Sequence, residues 1–206
     1  MRILTASFRR TECCWNKIAP LWASALAYFS NGVWEIVFPA REFVLSQIVF
    51  VGISTGAVVA FALVQREAGS GSRFDRWLVA PAFGLLAGWV TAAFFIGLVT
   101  VLVATGVLNG GIGEVLFGAL MLIVGGVFAC AVLLAGRIGP VQGYFAYGGA
   151  VLWALAGVVA NQYQNSLITF STSIVCALLI AAILFIALRR SDAGRGAGQP
   201  SRPRVA

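Results

Sequence analysis

Ser24, Tyr28, Asn31 and Glu35 are spaced four, three and four residues apart, so in a helix they share one face. Glu35 is the single acidic residue inside any long apolar run of the chain. A charge at the bilayer centre costs about 2.5–3.5 kcal/mol on insertion scales, and such residues usually face a protein interior or a cavity. The stripe could orient a bound molecule, or Glu35 could serve as the coupling carboxylate of a transporter. Two placements fit Glu35: it faces the helix bundle, or it sits one turn from Pro39 and reaches the outer interface. Tyr28 and Asn31 lie deeper and need an internal partner, which a neighbouring helix could supply. The spacing predicts that Asn31 and Glu35 face the bundle.

The tryptophans form the second group. Trp15, Trp22 and Trp77 fall at membrane-interface positions, where anchoring explains them. Trp89 and Trp153 lie well inside apolar runs. A buried indole N–H needs a partner, so each bonds a neighbouring carbonyl or walls a pocket for a flat ligand.

Other chemistry is excluded. The chain has no histidine, which removes imidazole as metal ligand, haem ligand or general base. Its four cysteines make no disulfide framework: Cys13 and Cys14 are adjacent, and Cys130 and Cys176 are embedded in apolar runs. There is no Gly-rich phosphate loop, no nucleophile–base pair and no pair of carboxylates inside the membrane. The expectation is a protein that is not an enzyme, with no metal and no cofactor.

The elements that must position these residues follow from composition. Of 206 residues, 60% are hydrophobic and 10% charged, with a mean hydropathy of +0.94. Soluble domains carry roughly 25% charged residues. A soluble enzyme and a disordered chain are both excluded. Six apolar runs can be read: Leu21–Phe38, Phe43–Val64, Leu78–Leu108, Val115–Leu134, Tyr144–Ala160 and Ile168–Leu188. A membrane crossing needs about 17–25 residues. The third run is longer, which places its membrane part near Ala82–Val103, with Trp77–Pro81 at the interface and Pro81 in the first turn. The runs lack polar/apolar alternation, which excludes a β-barrel. The expected fold is an all-α, polytopic bundle of six transmembrane helices, one domain over residues 1–188, followed by a disordered basic tail over 189–206.

Thirteen of the fourteen arginines and lysines fall on one side of this scheme, and Arg41 alone on the other. The positive-inside rule then puts both termini in the cytoplasm of a cell-membrane protein. The net charge of +7 follows from this topology and from attraction to anionic lipid. No aromatic-interleaved basic patch supports nucleic-acid binding. The first run continues past the small-x-small sequence Ala25–Ala27 and reads as a retained anchor. Small residues at close-packing spacing, Gly52/Gly56/Ala60, Gly84/Gly88 and Gly149/Trp153/Ala156, are read as helix contacts.

Several stretches in this order resemble the TspO/MBR family of tryptophan-rich sensory or translocator proteins, in its longer bacterial branch. They are Asn31-Gly32-Val33-Trp34 with Leu45-Ser46, then Pro81 through Gly88-Trp89-Val90-Thr91-Ala92, then Ala119–Leu122, then Tyr147–Gly157. The family's earlier Pro-rich segment with its Gly-Trp/Tyr-Val-Phe signature has no counterpart here, so the resemblance carries the fold further than ligand binding. It implies a tetrapyrrole or similar flat apolar ligand between helices. Trp34, Trp89, Tyr147 and Trp153 would stack on it, Thr91 would lie beside them, and Asn31 and Glu35 would orient it. The partners implied are the lipid bilayer and an apolar small molecule such as a tetrapyrrole, with no nucleic acid and with a homo-oligomer left open. A small transporter and a membrane scaffold without ligand are the alternatives.

Overall fold

The computed structural model describes the backbone of residues 2–68 and 72–196, and the side chains of 19–68, 72–137 and 139–189 within them. Trp15 and the Cys13–Cys14 pair therefore fall outside the described side chains, and residues 197–206 of the basic tail lie outside the described residues. Six long helices follow one another: α1 Arg2–Val37, α2 Phe43–Ala68, α3 Ala80–Ala104, α4 Gly111–Ala135, α5 Val141–Gln162 and α6 Leu167–Gly196. No strand occurs among the described residues. In hydrocarbon every backbone polar group must be satisfied internally, which is why apolar runs of this length become helices.

Five stretches are long and apolar enough to cross a membrane: Phe43–Ala68, Asp75–Ala104, Gly111–Ala135, Val141–Gln162 and Leu167–Arg189. The molecule is thus a multi-pass, all-helical membrane protein. Among the described residues α1 is not in that set, because Ser24, Tyr28, Asn31 and Glu35 lower its apolarity. The helices also run past the apolar stretches. α6 continues through Arg189 to Gly196, the first part of the segment expected to be disordered. The Arg189 guanidinium lies 4.6 Å from the centre of the Phe185 ring one turn back, which supports that extension.

Each turn has a local cause. Between α1 and α2 the Arg41 N–H donates to the Phe38 carbonyl at 3.0 Å, and Arg41 takes a left-handed φ of 63°. The α3–α4 link bends at Gly106 and Gly110, with φ of 73° and 82°, values that cost little only without a Cβ. Asp75–Val79, ahead of α3, forms a π turn in which the Ala80 N–H reaches the Asp75 carbonyl. Pro81 follows directly, and its ring would meet the carbonyl four residues back in a regular helix, so the widened turn accommodates it. The third span accordingly begins at Asp75, earlier than the expected membrane part.

Lipid offers no hydrophobic force between helices, so close backbone approach decides the packing. A Cβ on Gly84 would strike the Gly143 carbonyl, and one on Gly88 the Tyr147 carbonyl, so α3 and α5 touch backbone to backbone. A Cβ on Gly56 would sit 2.7 Å from the Ala23 carbonyl oxygen and the Ala27 nitrogen, so α1 and α2 do the same. The core is built on Phe61, Ala87, Leu133, Tyr147, Val151 and Ile180. Two polar ties reinforce it. Gln47 Nε2 donates to the Phe94 carbonyl at 3.2 Å, joining α2 to α3. Gln65 Nε2 donates to the Pro140 carbonyl at 3.3 Å, joining α2 to the start of α5.

Two expectations are corrected. Asn31 and Glu35 are exposed and face away from the bundle, as does Tyr28. The adjacent face of α1, with Ala23, Ala27 and Ser30 buried, takes the contact with α2 because its small residues allow the closer approach. The Gly149/Trp153/Ala156 stripe also faces outward: all three are exposed, and nothing lies within 4 Å of a Cβ placed on Gly149. The Gly84/Gly88 face of α3 meets α5 on the side of Gly143 and Tyr147 instead.

Candidate functional site

α4 packs on α6 and α3 but scarcely meets α5. The gap is a cavity of about 730 Å³ bounded by α3, α4 and α5, with Thr169 of α6 at its edge. That volume lies within the range of about 300–1,000 Å³ usual for small-molecule sites.

Glycines and aromatics build the walls. Gly118 and Gly125 leave α4 without side chains at two points facing α3 and the gap, whereas the missing side chain of Gly126 is turned to Cys176 of α6. The Phe95 ring of α3 leans in at Gly125, 2.8 Å from where a Cβ there would stand. The Cys176 thiol donates to the Leu122 carbonyl at 3.6 Å and holds α6 behind α4. From α3 come Trp89 and Phe95, from α4 Met121 and Leu122, and from α5 Val151 and Trp153. Trp89 is 53% and Trp153 74% exposed, so each borders the cavity while leaving much of its ring toward the lipid side.

One end of the cavity is polar. Glu114 sits in the first turn of α4, Asn161 and Gln162 close α5, and Thr169 belongs to the first turn of α6. Successive spans cross in opposite directions, so these termini share one end of the bundle. Glu114 is the one charged residue among the cavity's described lining.

The expected site residues divide into three groups. Trp89, Thr91 and Trp153 line the cavity. Tyr147 is wholly buried behind it: its ring stacks on Phe61 at 5.5 Å and 12°, and its hydroxyl donates to Thr91 Oγ1 at 3.3 Å. Thr91 in turn donates to the Ala87 carbonyl at 2.7 Å, so Tyr147 meets the cavity only through Thr91. Asn31, Trp34 and Glu35 are not among its walls. Trp34 instead stacks on Phe38 at 4.7 Å and packs edge-on against Phe50 at the α1–α2 contact.

Glu114, Phe95, Gly118 and Asn161 are lining residues that the sequence reading did not select. Glu114 and Asn161 are polar residues just outside the apolar runs Val115–Leu134 and Tyr144–Ala160, and only the arrangement of the helices brings them to the cavity.

A family model described as TSPO-like protein matches residues 6–187. The chain belongs to the TSPO-like family. The match spans all six helices, confirming the resemblance read from the Trp34, Trp89 and Tyr147–Gly157 stretches. No curated protein and no solved structure matches the chain. Within this TSPO-like bundle, three of the four apolar stretches that carried the resemblance contribute to the cavity: Pro81–Ala92 on α3, Ala119–Leu122 on α4 and Tyr147–Gly157 on α5.

Proposed function

We propose that this TSPO-like protein is not an enzyme but a binding protein that holds a flat, apolar ligand, of which a tetrapyrrole is one candidate, in the α3–α4–α5 cavity. The observation that carries the reading is a cavity of about 730 Å³ bordered by Trp89, Phe95 and Trp153, with Glu114, Asn161, Gln162 and Thr169 gathered at one end. Such a site holds its ligand by dispersion and ring stacking and orients it from the polar end. With no histidine in the chain, axial ligation of a metal by imidazole contributes nothing. A metal-free porphyrin with the same side chains as haem is therefore expected to bind about as well as haem.

In this reading α1 is the sixth span and both termini lie in the cytoplasm of the cell membrane, supported by the arginine and lysine distribution. Reporter fusions after Asn109 and after Ala206 should report opposite sides; the same side for both would sink the topology. The transporter reading with Glu35 as its coupling carboxylate has less support, because Glu35 is exposed on α1 and is not a cavity wall.

The test is a titration of the protein in phosphatidylcholine nanodiscs with metal-free octaethylporphyrin, read by quenching of tryptophan emission. Saturable binding is expected. Porphyrin that only partitions, as into empty nanodiscs, would reject a tetrapyrrole.

A further inference from the structure

We infer that the cavity selects a cationic amphiphile, a ring-bearing apolar body ending in an amine, with the ammonium at Glu114; this rests on the cavity being a ligand site. Two observations support it. Among the described residues Glu114 is the single charged one lining the cavity, and no described arginine or lysine is among the walls. The end of the bundle where Glu114 lies is also acid-rich. Its described charged residues are Glu35, Glu42 and Glu114 against Arg41 alone. The opposite end carries Arg66, Arg73, Arg76, Arg137 and Arg189 against Glu67 and Asp75.

The chemistry follows from placement. Glu114 is half-buried, so water reaches it only in part, and a carboxylate can accept several hydrogen bonds. An ammonium beside it gains a charge-assisted bond. A ligand carboxylate there would meet a like charge with no cation in the wall to offset it. Asn161 and Gln162 can bond either sign and do not discriminate. The apolar body then extends along Met121 and Phe95 toward Trp89 and Trp153. Free propionates on a tetrapyrrole would be disfavoured at this end, whereas an uncharged porphyrin would not.

The test uses three probes with one flat body and different ends: 1-pyrenemethylamine, 1-pyrenemethanol and 1-pyrenecarboxylate. Each is titrated at neutral pH into the full chain in phosphatidylcholine nanodiscs, with empty nanodiscs as reference. The amine is expected to bind roughly tenfold tighter than the alcohol, and the carboxylate more weakly than either. Glu114→Gln should bring the amine close to the level of the alcohol. Glu42→Gln removes a carboxylate at the same end but outside the cavity, and should leave the preference intact. Equal binding of all three probes by the parent protein overturns the inference while the ligand site stands, and needs no variant to fold. An amine preference that survives Glu114→Gln, or that Glu42→Gln removes equally, also overturns it. Failure of all three probes, the alcohol included, removes the ligand-site reading itself.

Discussion

The same helix, α3, makes two opposite kinds of contact. Toward α5, Gly84 and Gly88 admit the Gly143 and Tyr147 carbonyls, and the two backbones touch. Toward α4, the glycine at 118 meets nothing within 4 Å, and the space left by its missing side chain becomes part of the cavity. Glycine in a membrane helix is therefore not one signal. Where a facing carbonyl fills the missing Cβ it locks two helices, and where nothing does it makes room. Thr91 stands on the border, bonded to Tyr147 in the seam and lining the gap.

The sharpest way to break this contrast is to put one side chain on each side of it. Gly88→Leu should cost about 3 kcal/mol or more, at the upper end of overpacking, because the obstacle is backbone and cannot rotate away. Loss of the folded species in thermal unfolding followed by circular dichroism checks this. Gly118→Leu should unfold within about 0.5 kcal/mol of the parent. It should nevertheless weaken porphyrin binding by more than about thirtyfold, roughly 2 kcal/mol, by filling the site. Unchanged affinity in that variant would place the ligand elsewhere.

Smaller effects refine the walls. Trp89→Ala and Trp153→Ala should each weaken porphyrin binding by about 1–2 kcal/mol, or roughly five- to thirtyfold, with helix content unchanged. Trp22→Phe, on α1, serves as the comparison and should bind as the parent does. If both alanine variants keep full affinity, these indoles are anchors and not walls. The smallest effect belongs to the seam. Tyr147→Phe keeps the stacking on Phe61 and removes one hydroxyl, so it should cost about 0.5–1.5 kcal/mol of stability. A negligible cost would mean that the bond to Thr91 contributes nothing net.

Much of the helical framework was legible in the sequence because lipid leaves few options to a long apolar run. The boundaries were less so. A helix continues into polar sequence when its own turns support it, as at Arg189 over Phe185, and hydropathy stops short of that. The α1 stripe shows a different limit. Periodicity told which residues share a face, but the direction of that face was set by its neighbours Ala23, Ala27 and Ser30, which let α2 come closer. Within the candidate site, Trp89, Thr91 and Trp153 were reachable from their position and their family-like stretches. Glu114 was not, since a carboxylate at the start of an apolar run reads as its end, and only the helix arrangement brings it to a cavity.

The π turn at Asp75–Val79 carries a consequence for chain length. A turn closed five residues back holds one residue more than an α turn, so a helical count along the chain slips by one residue there, about 100° of rotation. Removing a residue within Asp75–Val79 would leave Gly84 and Gly88 pointing at α5, with the narrower turn bringing the Pro81 ring against the carbonyl four residues back. Removing one between residues 85 and 87 has no such slack, and would swing Gly88 and Trp89 about 100° around the helix axis relative to Gly84. The segment ahead of α3 can thus absorb a change in length that the segment beside Tyr147 cannot.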